Sequence, residues 1–275
     1  MYPINLFNNL IAMSLFLERI VEHYSEYINS NKYVYKSCGI EWIVILEWVL
    51  CAKHNEARSN YPYDFNFAKF RASKFKVIKI FNKFDPEKTI PRIKNTVYEK
   101  KTIQYVVNKI VVAEDYCRDI RIICAEGIHY YRSIIPAFFC ELRKCEKYVG
   151  DIVEWYSDGS KCVEGHLENL KKTNTWIWFR DNDKKNYEGS YVNDKQNGLW
   201  TFYHENGNIK SKGFYRDNKR YGPWTFYHEN GRKESEGYYI YDVKINTWTH
   251  WHDNGNLFKT EEHVKCDVVG KNIFA

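Results

Sequence analysis

The sequence predicts an α+β chain. An N-terminal amphipathic helix and a small α/β domain come first, and an antiparallel β-sheet of stacked hairpins follows. Three observations lead there. The first is a fixed 24-residue period between about Asp151 and Glu262, marked by the pairs Asp158-Gly159, Asn182-Asp183, Asn206-Gly207, Asn230-Gly231 and Asn254-Gly255. The second is what keeps register with those pairs, counted from the second residue of each. Seven residues before four of them stands Trp176, Trp200, Trp224 or Trp248, and six residues after four of them stands Gly165, Gly189, Gly213 or Gly237. Trp155, Phe179, Tyr203, Tyr227 and Trp251 stand four residues before all five. The third is the change of character upstream, where one helical stripe precedes short β-branched and aromatic runs. A strict period of roughly 20–50 residues marks units that bury their apolar faces only by stacking on one another.

In chain order, residues 1–32 read as the helix. Leu6, Leu10, Met13, Leu17, Ile20, Val21, Tyr24 and Ile28 recur at steps of three and four, which is one face of a helix. The stripe packs against the fold or lies on a membrane surface. Its apolar run is too short to span a bilayer and lacks the basic start of a secretory leader, so the chain reads as neither secreted nor transmembrane. Residues 33–148 form the mixed domain. Tyr33–Tyr35 and Trp42–Leu46 are strand-like, and the continuously apolar second run reads as a central strand covered on both sides. Phe75–Phe81 reads as a strand with Phe75, Val77 and Phe81 on one face and Ile78 and Ile80 on the other. Further strands are expected at Thr102–Val107, Lys109–Val112 and Ile120–Cys124, and a helix from Pro136 to Cys145. Residues 149–262 are the repeats, and 263–275 a cap or tail.

The repeat 198–221 shows the chemistry of each unit. Asn206-Gly207 between two β-type runs signals a type I′ hairpin. Gly213 inside a strand marks a place where a neighbour comes close, and stacking would lay the next unit's tryptophan there. The array decays at its ends: Ile152 stands where other units have Trp, Glu261 where others have Gly, and Asn174 and Asn246 where Gly198 and Gly222 stand.

Gly198-Leu199-Trp200…Asn206-Gly207…Gly213 and Gly222-Pro223-Trp224…Asn230-Gly231…Gly237 resemble the short variant of the MORN repeat, found also in antitoxin-like bacterial proteins. The resemblance covers roughly 150–262 and implies a binding scaffold of β-hairpins. Arg71–Val77 and Cys124–Tyr131 resemble an uncharacterised domain of large DNA viruses of the mimivirus, marseillevirus and iridovirus kind. That resemblance covers roughly 36–141 and implies a viral protein acting in the host-cell cytoplasm or the virion.

Charge and cysteine usage bound the function. Lys+Arg number 41 and Asp+Glu 35. Residues 1–149 carry 23 against 16, a surplus of +7, and the rest 18 against 19, or −1. A neutral array is poorly equipped for a phosphate backbone. The eight cysteines include no C-x-x-C pair, so no metal site and no cofactor are expected, and the thiols read as reduced and mostly buried.

Four constellations could carry function. Cys124 and His129 could pair as nucleophile and base of an enzyme, or end a strand and pack. The basic run Arg71, Lys74, Lys76, Lys79 and Lys83, interleaved with phenylalanines over 69–83, could face nucleic acid or be a strand with a solvated side. His204, His228 and His252 recur with the period, but two strand spacings of about 9–10 Å are too far apart for one ion. The repeat tryptophans could face a partner or form the core of the stack. The expected function is a non-catalytic, protein-binding scaffold.

Overall fold

The computed structural model describes residues 15–58, 62–97 and 101–263. The chain forms two compact units, Met1–Cys162 and Val163–Ala275. The expected helical residues before 15 and the expected cap or tail from 264 onward lie outside the described residues.

In the first unit, α1 (Leu15–His23) and the Tyr24 that follows it carry the apolar stripe into the core, while α2 (Ser25–Ile28) has no buried residue. Leu17, Ile20 and Tyr24 are almost fully buried. The Tyr24 ring lies 4.2 Å from that of Phe81, and its hydroxyl donates to the Pro86 carbonyl at 2.6 Å. The fold itself therefore occupies this face.

A six-stranded sheet follows, in the order β3-β8-β1-β2-β4-β7, built from β1 (Tyr33–Cys38), β2 (Trp42–Glu47), β3 (Lys69–Ala72), β4 (Lys74–Asn82), β7 (Ile110–Val112) and β8 (Ile128–Tyr131). Its pairs are antiparallel. A separate hairpin joins β5 (Arg92–Val97) to β6 (Lys101–Val106). β2 lies inside the sheet with Ile43, Val44, Ile45 and Leu46 at 0% exposure, as a continuous apolar run requires. Burying such a side chain stabilises by about 1.5–3 kcal/mol, so this strand anchors the unit.

Several local expectations are corrected. The alternation along β4 breaks because a bulge opens where Ile45 pairs with Lys79 but Leu46 pairs with Val77. One extra residue reverses the faces beyond it. Ile80 therefore joins Phe75 and Val77 in the core, and Phe81 turns to Tyr24. Ile120–Cys124 is not a strand. The Arg71 guanidinium takes the carbonyls of Cys117, Asp119 and Ile122, so a side chain satisfies the acceptors that a ladder would use. The helix α3 (Ile134–Phe139) starts with the Ser133 hydroxyl accepting the Ile135 N–H. It stops before Cys145 because Glu141 adopts φ +65°, and Leu142–Lys144 make only one 3₁₀ turn. β3, β5 and β8 had no sequence counterpart.

The basic run 69–83 is also corrected. Ser73 divides it between β3 and β4, which are separated by three strands. Arg71 and Lys83 are fully buried. Lys83 donates to Ser37 Oγ at 2.9 Å and to the Cys140 carbonyl at 2.8 Å. Buried Arg58 donates to the carbonyls of Lys69 and Ser157. These cations join loops to the sheet; they do not form one nucleic-acid surface.

The repeats form one long meander. From β9 (Gly150–Trp155) each strand neighbours the next, giving ten strands ordered β9 to β18: β10 (Lys161–Glu168), β11 (Lys171–Phe179), β12 (Lys185–Val192), β13 (Lys195–Tyr203), β14 (Ile209–Arg216), β15 (Lys219–Tyr227), β16 (Lys233–Ile240), β17 (Val243–Trp251) and β18 (Leu257–Glu262). The turn of the first hairpin docks on its own unit. Asp64 N–H donates to the Asp158 carbonyl and Lys69 N–H to that of Ser157, and Trp155 stacks on Phe67 at 4.8 Å. Gly159 is required there: a Cβ would fall 2.8 Å from Ala68 N.

The turn expectation is corrected too. At Asn206-Gly207 only the glycine is left-handed, at φ +95°. His204 N–H donates to the Asn208 carbonyl at 2.8 Å, and Gly207 N–H to that of His204 at 3.0 Å. This is a three-residue loop, a type I turn closed by a glycine bulge. The asparagine contributes a side-chain oxygen, which accepts from Asn208 N–H at 2.9 Å. The two-residue turns with two positive φ values stand at the other ends of the strands, at Asn169-Leu170, Asn193-Asp194, Asp217-Asn218 and Tyr241-Asp242.

Candidate functional site

The candidate site in the second unit is the indole ladder. Trp176, Trp200, Trp224 and Trp248 are at most 3% exposed. Each lies flat over the glycine eleven residues earlier: Gly165, Gly189, Gly213 and Gly237 respectively. A Cβ on any of the four would come well within 3.0 Å of indole carbons. The glycines are therefore seats for rings, and their φ values are ordinary. Next to each seat the register slips, as between Gly213 and Phe214. Such a slip frees a carbonyl from the ladder, and the indole N–H takes it: Trp224 Nε1 donates to the Phe214 carbonyl at 3.0 Å, Trp200 Nε1 to that of Ser190 at 3.2 Å, and Trp248 Nε1 to that of Tyr238 at 3.3 Å. Asn174, Gly198, Gly222 and Asn246 sit at the slips with φ between +57° and +82°, a conformation asparagine tolerates best after glycine.

The rings pack edge to face and offset. Tyr215 meets Trp224 at 5.2 Å and 84°, and Phe226 lies 5.8 Å from the same indole. Cations cover the outer rings: Lys172 Nζ over Tyr191 at 4.3 Å, the Arg220 guanidinium over Tyr239 at 4.1 Å and Lys244 Nζ over Trp248 at 4.2 Å. The tryptophans are thus the core of the stack. What faces outward is the opposite side of the sheet, where Leu199 pairs with Phe214 and Pro223 with Tyr238. Leu199, Phe214 and Tyr238 are 51%, 43% and 50% exposed.

Sequence reasoning missed two inter-repeat ladders. His204 Nε2 donates to the Tyr227 carbonyl at 2.8 Å and His228 Nε2 to that of Trp251 at 3.0 Å, while Arg180 does the same to Tyr203 at 2.9 Å. His204 and His228 bond successive repeats together, each to a different carbonyl. On the other edge Asp194, Asn218 and Asp242 accept from the backbone N–H of Lys172, Gln196 and Arg220 at 2.7–3.0 Å. Their own N–H groups return bonds to the same residues' carbonyls. The recurrence of Asn or Asp at that place in three repeats was the available signal. Among the described residues no group of three or more His, Cys, Asp or Glu is placed to hold a metal ion.

In the first unit, Cys124 is exposed and His129 is 8% exposed on β8. Among the described residues no hydrogen bond joins them. His129 Nε2 is buried without a partner, and the ring bonds the Ile123 carbonyl. Burial, then the cations Lys69 and Lys36, push its pKa down to about 3, so it stays neutral and does not supply the imidazolium that holds a thiolate. Burial likewise lowers Lys83, to about 8. Among the described residues no helix is long and apolar enough to cross a membrane.

No curated protein matches this chain. A crystal structure of an S. aureus TarM mutant in complex with Fondaparinux, alpha-GlcNAc-glycerol and UDP matches at 11% identity and a TM-score of 0.25. That match covers 38% of this chain and 22% of the other, so the chain spans about a fifth of its length, and likeness at that level carries no argument. Residues 196–217 and 220–241, the two most regular repeats and the ones that hold the Trp200 and Trp224 rungs, match the model of the MORN repeat variant.

Proposed function

We propose that this chain is a non-catalytic scaffold that binds a protein through its repeat sheet. The observation that carries it is the exposed apolar row Leu199, Phe214, Pro223 and Tyr238. The indole ladder needs none of these side chains, because they point away from it. The row alongside, Glu188-Thr201-Lys212-Thr225-Glu236 by strand register, alternates in charge. That pattern suits a protein surface better than a phosphate backbone. The likeness of residues 36–141 to a domain of large DNA viruses supports a viral protein in the host-cell cytoplasm or the virion. The test is affinity capture from infected cells with the full chain and with a Phe214→Asp/Tyr238→Asp variant. A stoichiometric partner retained by the former and lost by the latter supports the reading. Capture of nothing, or capture indifferent to the two substitutions, refutes it.

A further inference from the structure

Between α3 and β9 the first unit encloses a cleft of about 180 Å³ whose charged lining residues are Glu141 and Glu154. Its remaining walls are Tyr131, Phe139, Trp155, Val153, Pro136 and Cys140. Phe139 and Trp155 stand 6.0 Å apart at 56°, and the stack of Trp155 on Phe67 holds that ring in place. Lys83, the buried cation nearest Cys140, is committed to Ser37 and the Cys140 carbonyl. Three aromatic rings and two carboxylates, with no Lys, Arg or His in the lining, suit an organic cation with a short apolar stem. The surroundings show the preference: Arg143 Nε lies 2.8 Å from Glu154 and Lys144 Nζ 3.0 Å from Glu141. Lys144 is 68% exposed and Arg143 38%, so both pairs are screened by solvent and a ligand cation competes with them, more readily at Glu141 than at Glu154. The volume is below the ~300–1,000 Å³ of drug-sized sites and suits one side-chain-sized group.

We propose that this cleft binds an alkylammonium or alkylguanidinium group, presented by a lysine or arginine side chain of a partner or by a free amine. The aromatic faces attract the charge, the carboxylates neutralise it and the apolar walls take the stem. The test follows the Val153 methyl resonances of the full chain at low salt during titration with n-butylammonium, n-butylguanidinium and neutral 1-pentanol. Saturable shifts are expected with both cations, and about tenfold weaker binding for the alcohol. Glu154→Gln and Glu141→Gln are each expected to weaken the cations about tenfold and to leave the alcohol unchanged. The second variant keeps the test open should the first fail to fold. Equal affinity for the alcohol, no saturable shift with either cation, or indifference to both substitutions overturns the proposal. An acetyl-Gly-Lys-Gly-amide arm separates the sources: tighter binding than n-butylammonium points to a protein side chain, and equal binding to a free amine.

Discussion

Gly213→Ala tests the ring-on-glycine packing most directly. The added Cβ would meet Trp224 well inside 3.0 Å. Restoring ordinary contact at 3.4–4 Å moves the indole by roughly 1 Å against Tyr215, Phe226 and Tyr239, while its N–H must hold the Phe214 carbonyl. Overpacking of this kind costs about 1–3 kcal/mol. Expelling the ring instead approaches the ~3–5 kcal/mol of deleting a buried tryptophan. Loss of unfolded-chain freedom on replacing glycine offsets about 0.4–1 kcal/mol. A net destabilisation of about 1–3 kcal/mol is expected, the lower end if the ring shifts and the upper if it is expelled, a shift of about 0.5 M or more in the urea midpoint, read by amide exchange across β14–β16. Gly198→Asn is the control. Its φ is +82° with nothing within 4 Å, and asparagine stands at the equivalent places Asn174 and Asn246, so a change within about 1 kcal/mol is expected. Combining Gly213→Ala with Trp224→Leu should recover at least ~1 kcal/mol relative to additivity. A Gly213→Ala protein as stable as the parent, or additive single effects, would refute the packing argument.

Other outcomes follow from single residues. His228→Ala removes the bond to the Trp251 carbonyl and should cost about 0.5–1.5 kcal/mol, seen as faster exchange confined to the loops at 228–232 and 252–256. Arg71→Met leaves three loop carbonyls without their donor and should cost about 3 kcal/mol or more. Limited proteolysis should then cut within 115–126, whereas Lys74→Met should stay within ~0.5 kcal/mol. His129 has a folded pKa of about 3 against 6.5 for the free group. The unfolded chain therefore binds more protons between those values, and the stability His129 confers is complete above pH 6.5 and lost as pH falls toward 3. The slope should approach about 1.4 kcal/mol per pH unit between pH 6 and 4, and urea titrations of His129→Gln should show that slope removed. Lys83 runs the other way in range but not in sign: its pKa near 8 against 10.5 makes stability rise with pH between those values, and Lys83→Met should abolish the rise.

The repeats were legible because their causes are local and recur. A ring, its seat and its loop lie within about one period, and four copies separate the signal from accident. The first unit was less legible because its decisive interactions are not local. Arg71 and Lys83 have the spacing of a solvated strand face, and only the loops arriving from residues 117–122 and 140 turn them into buried staples. The bulge in β4 depends on its pairing with β2, which no pattern within β4 encodes. Asn-Gly was read as a two-residue turn because φ > 0 suits both residues, yet the loop uses the asparagine for its side-chain oxygen and only the glycine for its φ.

The glycines carry a further argument, since one repeat uses the same residue for two unrelated reasons. Gly198 and Gly222 serve φ, and asparagine replaces them at residues 174 and 246. Gly165, Gly189, Gly213 and Gly237 serve space, and asparagine replaces none of them. If the space requirement comes from the indole, a glycine is needed only where a tryptophan stands eleven residues on, and the last strand of the array obeys this. Glu261 pairs with Trp248 at the glycine place, and residue 272 is Asn. The glutamate at 261 is thus no loss of packing: with no tryptophan eleven residues on, the seat is not needed and a side chain occupies it.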